Sequence, residues 1–147
     1  MKAVNIQNKR AKFEYNILHK YVAGLQLSGT EIKSIRNSKV NLSDSFCSFK
    51  DNELYIIGMH IDEYEFGNYA NHHPKRERKL LLNRYELDKI RKKIADVGLT
   101  IVPLRLFIND KGWAKIEIAV AKGKKLYDKR NTIKNRDIQR DIDRTIK

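Results

Sequence analysis

Two long strand-like runs, residues 99–108 and 113–121, are separated only by Asn109-Asp110-Lys111-Gly112. So short a turn lets the runs pair only antiparallel, because a parallel neighbour needs a crossover of a dozen or more residues. Pro103 has no amide hydrogen to give a neighbouring strand, so the first run is expected to lie partly at an edge. A second hairpin is expected from residues 46–49 and 54–61 around Lys50-Asp51-Asn52-Glu53. Upstream, Phe13, Tyr15 and Ile17 alternate with Lys12, Glu14 and Asn16, the period of a strand with one face in a core. Residues 21–27 continue in extended character. No strand–helix–strand alternation runs through the chain, so the pattern predicts a mainly antiparallel β protein. A small closed or partly closed barrel is favoured over a doubly wound sheet.

Helices are marked by their caps. Ser28-Gly29-Thr30-Glu31 spells a capping box, with Ile32 and Ile35 giving a short helix its inward face until about Asn37. Asn83, with Glu86 three residues on, opens a stronger helix. Leu87, Ile90, Ile94 and Val97 form its apolar stripe, Lys89 and Lys92 point away, and Gly98 stops it.

The 147 residues, 41% of them hydrophobic, supply one core and so one domain. Thirty-one Lys and Arg against 18 Asp and Glu leave a net charge of +13, and a pI near 9.8 points to a polyanion, for which nucleic acid is the usual partner. Residues 122–147 carry ten cations and four Asp, 10 − 4 = +6, so residues 1–121 keep +7. The expected organisation is a folded body over 1–121 and a basic tail over 122–147. No apolar run approaches the roughly 18 residues of a membrane span, and Met1-Lys2-Ala3-Val4-Asn5 opens no signal-peptide core. A cytoplasmic protein without membrane attachment is expected. The single cysteine, Cys47, has no partner for an internal disulfide and is expected to be a small buried residue.

The stretch Asn71-His72-His73-Pro74-Lys75-Arg76-Glu77-Arg78-Lys79 is a loop with four cations, preceded by Tyr64, Phe66 and Tyr69. Guanidinium forks suit phosphates and flat rings suit unstacked bases, so an RNA-binding loop is expected; the alternative is a solvated charge run over packed aromatics. Of Leu80, Leu81 and Leu82, two are expected in the core and one facing out. The tail opens Gly123-Lys124-Lys125-Leu126-Tyr127-Asp128-Lys129-Arg130, four cations around one aromatic ring, which suits phosphate contact and base stacking. Further on, Ile138, Ile142 and Ile146 recur every four residues, as do Arg136, Arg140 and Arg144, and a two-residue offset puts the sets on opposite helix faces. So short a helix is marginal in water, and the tail is expected to be disordered when free and helical when bound.

Catalysis finds little support. His72 and His73 lack a cysteine pair, and His19 and His60 fall on separate elements, so no metal or cofactor is expected. No base marks Cys47, with Ser45 and Ser48 nearby, as a nucleophile. A metal-dependent nuclease using Glu31, Asp44 and Glu53 survives as an alternative, although cap, turn and surface roles explain all three acids.

Five separated motifs run in order: Asn8-Lys9-Arg10-Ala11, Gly29-Thr30-Glu31-Ile32-Lys33-Ser34, Val40-Asn41-Leu42-Ser43-Asp44-Ser45, Arg76-x-Arg78-Lys79-Leu80-Leu81-Leu82 and Gly123-Lys124-Lys125-x-Tyr127-Asp128-Lys129-Arg130. Together they resemble the SmpB family of bacterial tmRNA-binding proteins. The resemblance implies an oligonucleotide-binding (OB-like) β-barrel with flanking helices, no catalytic residue, and two partners. These are the tRNA-like domain of tmRNA, and the ribosome at the 16S rRNA of its small subunit. It implies tmRNA-binding positions at Asn8, with Lys9 and Arg10 in the same motif, at Leu81, and in the loop at Asn71, His72, Lys75, Arg76, Arg78 and Lys79. It places Gly123, Lys124, Lys125, Tyr127, Asp128, Lys129 and Arg130 at the decoding centre of stalled ribosomes, and Lys134, Arg136, Arg140 and Arg144 in the empty mRNA channel. One departure stands out: many members have an acid where this chain has Val22, before Ala23-Gly24. A ribosome-associated structural RNA-binding protein is the second alternative function.

Overall fold

The computed structural model describes residues 4–67, 71–95 and 98–124. In chain order these form β1 (Asn5–Gln7), α1 (Lys9–Glu14), β2 (Tyr15–Leu25), α2 (Gly29–Arg36), β3 (Val40–Asn41), β4 (Phe46–Lys50), β5 (Glu53–Ile57), β6 (His60–Ile61), β7 (Arg78–Leu81), α3 (Arg84–Ile94), β8 (Leu99–Ile108) and β9 (Ala114–Gly123). Six strands close a ring in the order β8-β4-β5-β7-β2-β9 and back to β8, with β1 added alongside β8. Every pairing is antiparallel, and β3 with β6 makes a separate two-stranded sheet.

The β8–β9 hairpin and the β2–β9 pairing are the longest ladders of the ring, the first as the two runs and their tight turn require. Its register shifts between Pro103 and Arg105. On its other edge β8 passes from β4 at Ile101 to β1 at Arg105, so the proline occupies a bulge in the gap between two partners. Strand alternation then sorts β9 into two faces: Ile116, Ile118 and Val120 enter the main core, while Ala119 and Ala121 face a second cluster outside the ring. The main core also takes Ile35 from α2 and Leu87 and Ile90 from α3.

Both expected caps are present. The Ser28 hydroxyl accepts from Glu31 N–H and the Glu31 carboxylate accepts from Ser28 N–H, while the Asn83 side chain accepts from Glu86 N–H at 2.8 Å. The β4–β5 turn has Asp51 and Asn52 both left-handed (φ 50° and 67°), the conformation a two-residue hairpin needs. Arg84 and Arg91 of α3 donate to Asn52, tying the helix to that turn. Val97, expected to extend the α3 stripe, lies outside the described residues.

Two expectations need correction. The chain over 9–14 is a helix, not the start of a strand. Asn8 caps it by accepting from Ala11 N–H at 3.2 Å, and Ala11 packs on Val102, Leu104, Ala119 and Ala121. The alternation at 12–17 therefore straddles a boundary, and only Tyr15, Asn16 and Ile17 belong to β2. The second correction is that β5 ends at Ile57 and does not reach 61. Gly58 turns left-handed (φ +83°) so close to Asp44 that a Cβ there would lie 2.7 Å from its carbonyl oxygen. The turn sends His60–Ile61 to pair with Val40–Asn41.

Candidate nucleic-acid interface

The basic loop is built around a buried carboxylate. Glu31, in the first turn of α2, is fully enclosed and accepts from Arg76 Nη2 and Arg78 Nε, each at 2.5 Å. Arg78 is 0% exposed and also donates to the carbonyls of Met59, His73 and Pro74. Burial alone would raise the Glu31 pKa. The hydrogen bonds from Arg76, Ser28 N–H and Arg78, with the charge of Arg78, outweigh it and hold the group at about 2. His72 adds a further tether: its Nε2 donates to the Ile61 carbonyl, which can only accept, and its Nδ1 meets the Thr30 hydroxyl, both at 2.9 Å. Asn71 exchanges hydrogen bonds with both backbone groups of Tyr64.

The loop residues nominated from the sequence thus divide. Arg78 and His72 point inward, are buried, and hold the loop. Asn71 is half-buried in the same task. Lys75 is exposed, and Arg76 keeps part of its guanidinium outside while also donating to the Gln26 carbonyl. Lys79 lies 3.9 Å from Glu53 on the outer face of β7. Of the aromatics, Phe66 is exposed and meets Tyr64 edge to face at 5.7 Å, with Lys33 over the Tyr64 ring. Tyr69 lies outside the described residues.

Leu80 is buried and Leu82 packs on the core, whereas Leu81 is 51% exposed, so one leucine of the three does face out. It sits beside Gly24, where a Cβ would come within 3.2 Å of Leu81 Cβ and 3.6 Å of Lys115 Nζ. Val22, 50% exposed, follows along the same face of β2 opposite Glu117. Leu81 and Val22 form an exposed apolar strip on either side of the buried Gly24, which the sequence pattern alone does not show. It emerges only when β7 and β9 are laid on either side of β2.

Asn8 is also internal. Its side chain caps α1 and donates to the carbonyls of Leu42 (3.2 Å) and Pro103 (2.9 Å), bridging the gap in the β8 edge. Lys9 is exposed, and Arg10 is exposed but paired with Glu14 and Asp44, each at 2.9 Å. Asn8→Ala is expected to cost about 2 kcal/mol, combining a lost cap with the loss of the bonds to two carbonyls, of which that of Leu42 keeps Ser45 as a donor. An unchanged denaturation midpoint would show that Asn8 does not hold this edge.

The structure does not bring α1 and Leu81 together. Packing of α1 falls on β2 near Ile17, while Leu81 pairs near Gly24, seven residues or about 23 Å along the strand. What lies beside α1 is the root of the tail: Gly123 pairs with Tyr15, and Lys124 N–H donates to the Glu14 carbonyl at 2.8 Å. Lys125, Tyr127, Asp128, Lys129, Arg130, Lys134, Arg136, Arg140 and Arg144 lie outside the described residues.

The acids considered for a nuclease each hold cations. Glu31 holds Arg76 and Arg78, Asp44 holds Arg10, and Glu53 holds Arg84 and Lys79. Cys47 is buried among apolar side chains, which pushes its thiol pKa up and leaves it inert. Among the described residues no helix is long and apolar enough to cross a membrane.

A ring of antiparallel strands with a clamped basic loop and an exposed cationic face defines a nucleic-acid-binding protein. Comparison with known proteins narrows this. The SmpB protein family model matches residues 5–147. An SsrA-binding protein of Flavobacterium psychrophilum is 60% identical over 144 residues, covering 98% of this chain and 96% of the relative. One of Salinispora tropica is 53% identical, covering 93% and 86%. A solved structure described as "tmRNA-SmpB: a journey to the center of the bacterial ribosome" matches with a TM-score of 0.71 at 46% identity, covering 84% of this chain and 87% of that one. The chain belongs to the SmpB family.

Proposed function

We propose that this chain is the SsrA-binding protein of trans-translation: it holds the tRNA-like domain of tmRNA and brings it to ribosomes stalled without a stop codon. The observation that carries this is the match over nearly the whole chain to SsrA-binding proteins and to an SmpB structure described together with tmRNA and the ribosome. The geometry fits. Lys75 and Arg76 on the loop and Lys115 beside the apolar strip at Leu81 offer phosphate contacts, and Glu31, Arg78 and His72 hold the loop in place beforehand. The tail, from Gly123 through Arg130, is the part proposed for the decoding centre, with Lys134, Arg136, Arg140 and Arg144 following into the mRNA channel. Binding to tmRNA and the ribosome puts the protein in the cytoplasm, and the role requires no catalysis by the protein itself.

Sequencing the RNA that copurifies with the intact chain tests the reading. Strong enrichment of tmRNA is expected; ribosomal RNA alone would favour a structural ribosomal role instead. Salt gives a second check. Three phosphate contacts predict a log–log slope of about 2 to 3. Affinity that stays level from low to high salt would refute electrostatic binding.

A further inference from the structure

The only tryptophan of the chain, Trp113, stands 67% exposed at the tip of the β8–β9 hairpin. The backbone of this turn is fixed. The Asn109 side chain accepts from Lys111 N–H and Trp113 N–H, Asn109 N–H donates to the Trp113 carbonyl, and Gly112 N–H donates to the Asn109 carbonyl. Gly112 is left-handed at φ +84°, a conformation that favours glycine. The indole carried on this turn gives up most of the burial that usually stabilises tryptophan and leaves a flat apolar face open to a stacking partner.

Beside the ring runs a cavity of about 300 Å³, walled by Leu27, Ile32 and Gly29 and closed on one side by Arg36. Nothing lies within 4 Å of where a Cβ at Gly29 would be, so the wall there is open. This volume is at the small end of ligand sites and suits one flat heteroaromatic ring. Among the described residues no carboxylate lines the groove and Arg36 makes no ion pair; Asp110 and Lys111 are both exposed at the adjacent turn and offset one another, so the charge at the groove is that of Arg36. The surroundings therefore favour an anionic, aromatic occupant. α2 ties the groove to the basic loop: it gives Thr30 and Glu31 to His72, Arg76 and Arg78, and gives Gly29, Ile32 and Arg36 to the groove.

We infer that the groove between Trp113 and α2 is a stacking subsite for one unpaired nucleotide of the RNA held by the basic loop, its base on the indole and its phosphate at Arg36. The inference rests on the RNA-binding function proposed above. A base stacked on an aromatic side chain changes affinity about 5- to 100-fold.

The test uses the full-length chain and transcribed tmRNA. Because Trp113 is the sole tryptophan, its fluorescence reports on this groove alone, and it should be quenched in step with complex formation on a parallel gel shift. Trp113→Ala should weaken tmRNA binding by that factor and Trp113→Tyr should restore most of it, with circular dichroism unchanged in both. A complex that forms without quenching, or a Trp113→Ala variant of undiminished affinity, overturns the subsite while leaving the tmRNA reading intact. Failure of the unaltered chain to bind tmRNA at low salt overturns both.

Discussion

Truncation after Lys124 is expected to abolish tagging of stalled chains while leaving tmRNA affinity within a few-fold of the intact protein. The cut is placed by the fold. Lys122 and Gly123 still pair with Asn16 and Tyr15, and Lys124 N–H still bonds Glu14, so stopping at Ala121 would also fray the end of the ring. Residues 125–147 hold eight Lys and Arg and four Asp, 8 − 4 = +4, so the truncated chain keeps +9 of its +13. The clamped loop and the Val22–Leu81 strip are untouched. Some long-range attraction is lost, which affects association more than the contacts themselves. Placement in a decoding centre, however, is the role proposed for the tail from Gly123 through Arg130, of which the cut removes residues 125–130. Gel shifts with tmRNA and a tagging assay on ribosomes stalled without a stop codon separate the two effects. A loss of tmRNA affinity as large as that of Arg76→Ala would refute the division between body and tail.

Features legible in the sequence were those written within a few residues. The Ser28–Glu31 box, the Asn83 cap, the Asp51–Asn52 turn and the Asn109–Gly112 turn each depend on local hydrogen bonds, and each stands where the residues placed it. The closing of the ring is different, since β2 meets β9 about a hundred residues later. The break at Gly58 was hidden for the same reason, because its cause is the Asp44 carbonyl on another segment. The site suffers most from this. Arg76 and Arg78 look equivalent in a basic run, yet one is half open to water and the other sealed. What separates them is Glu31, 47 residues away from Arg78 along the chain. A capping Glu normally lies at the surface, so nothing local to Ser28–Glu31 signals that its carboxylate serves two arginines.

That clasp yields the second large effect. Arg78→Ala should lower the melting temperature by about 10 °C, since removing one partner of a buried ion pair costs about 3–5 kcal/mol and each kcal/mol moves a chain of this size by about 2–4 °C. Arg76→Ala should cost far less, because Glu31 keeps Arg78 and the lost guanidinium is half-solvated. RNA affinity then needs care in interpretation: the Arg76 variant reports a phosphate contact, whereas the Arg78 variant reports a loop that has lost its anchor. Acid supplies an independent check. The folded pKa of Glu31, about 2, lies below the ordinary carboxylate value. Its stabilisation is therefore complete above about pH 4.5 and is lost as pH falls towards 2, amounting to about 3 kcal/mol. Glu31→Gln removes this titration and leaves two arginines without a counter-charge, so the variant should start less stable at pH 7 and lose less between pH 5 and pH 3. Parallel acid limbs for Glu31→Gln and the unaltered chain, or equal melting temperatures for the two arginine variants, would show that the clasp does not hold the loop.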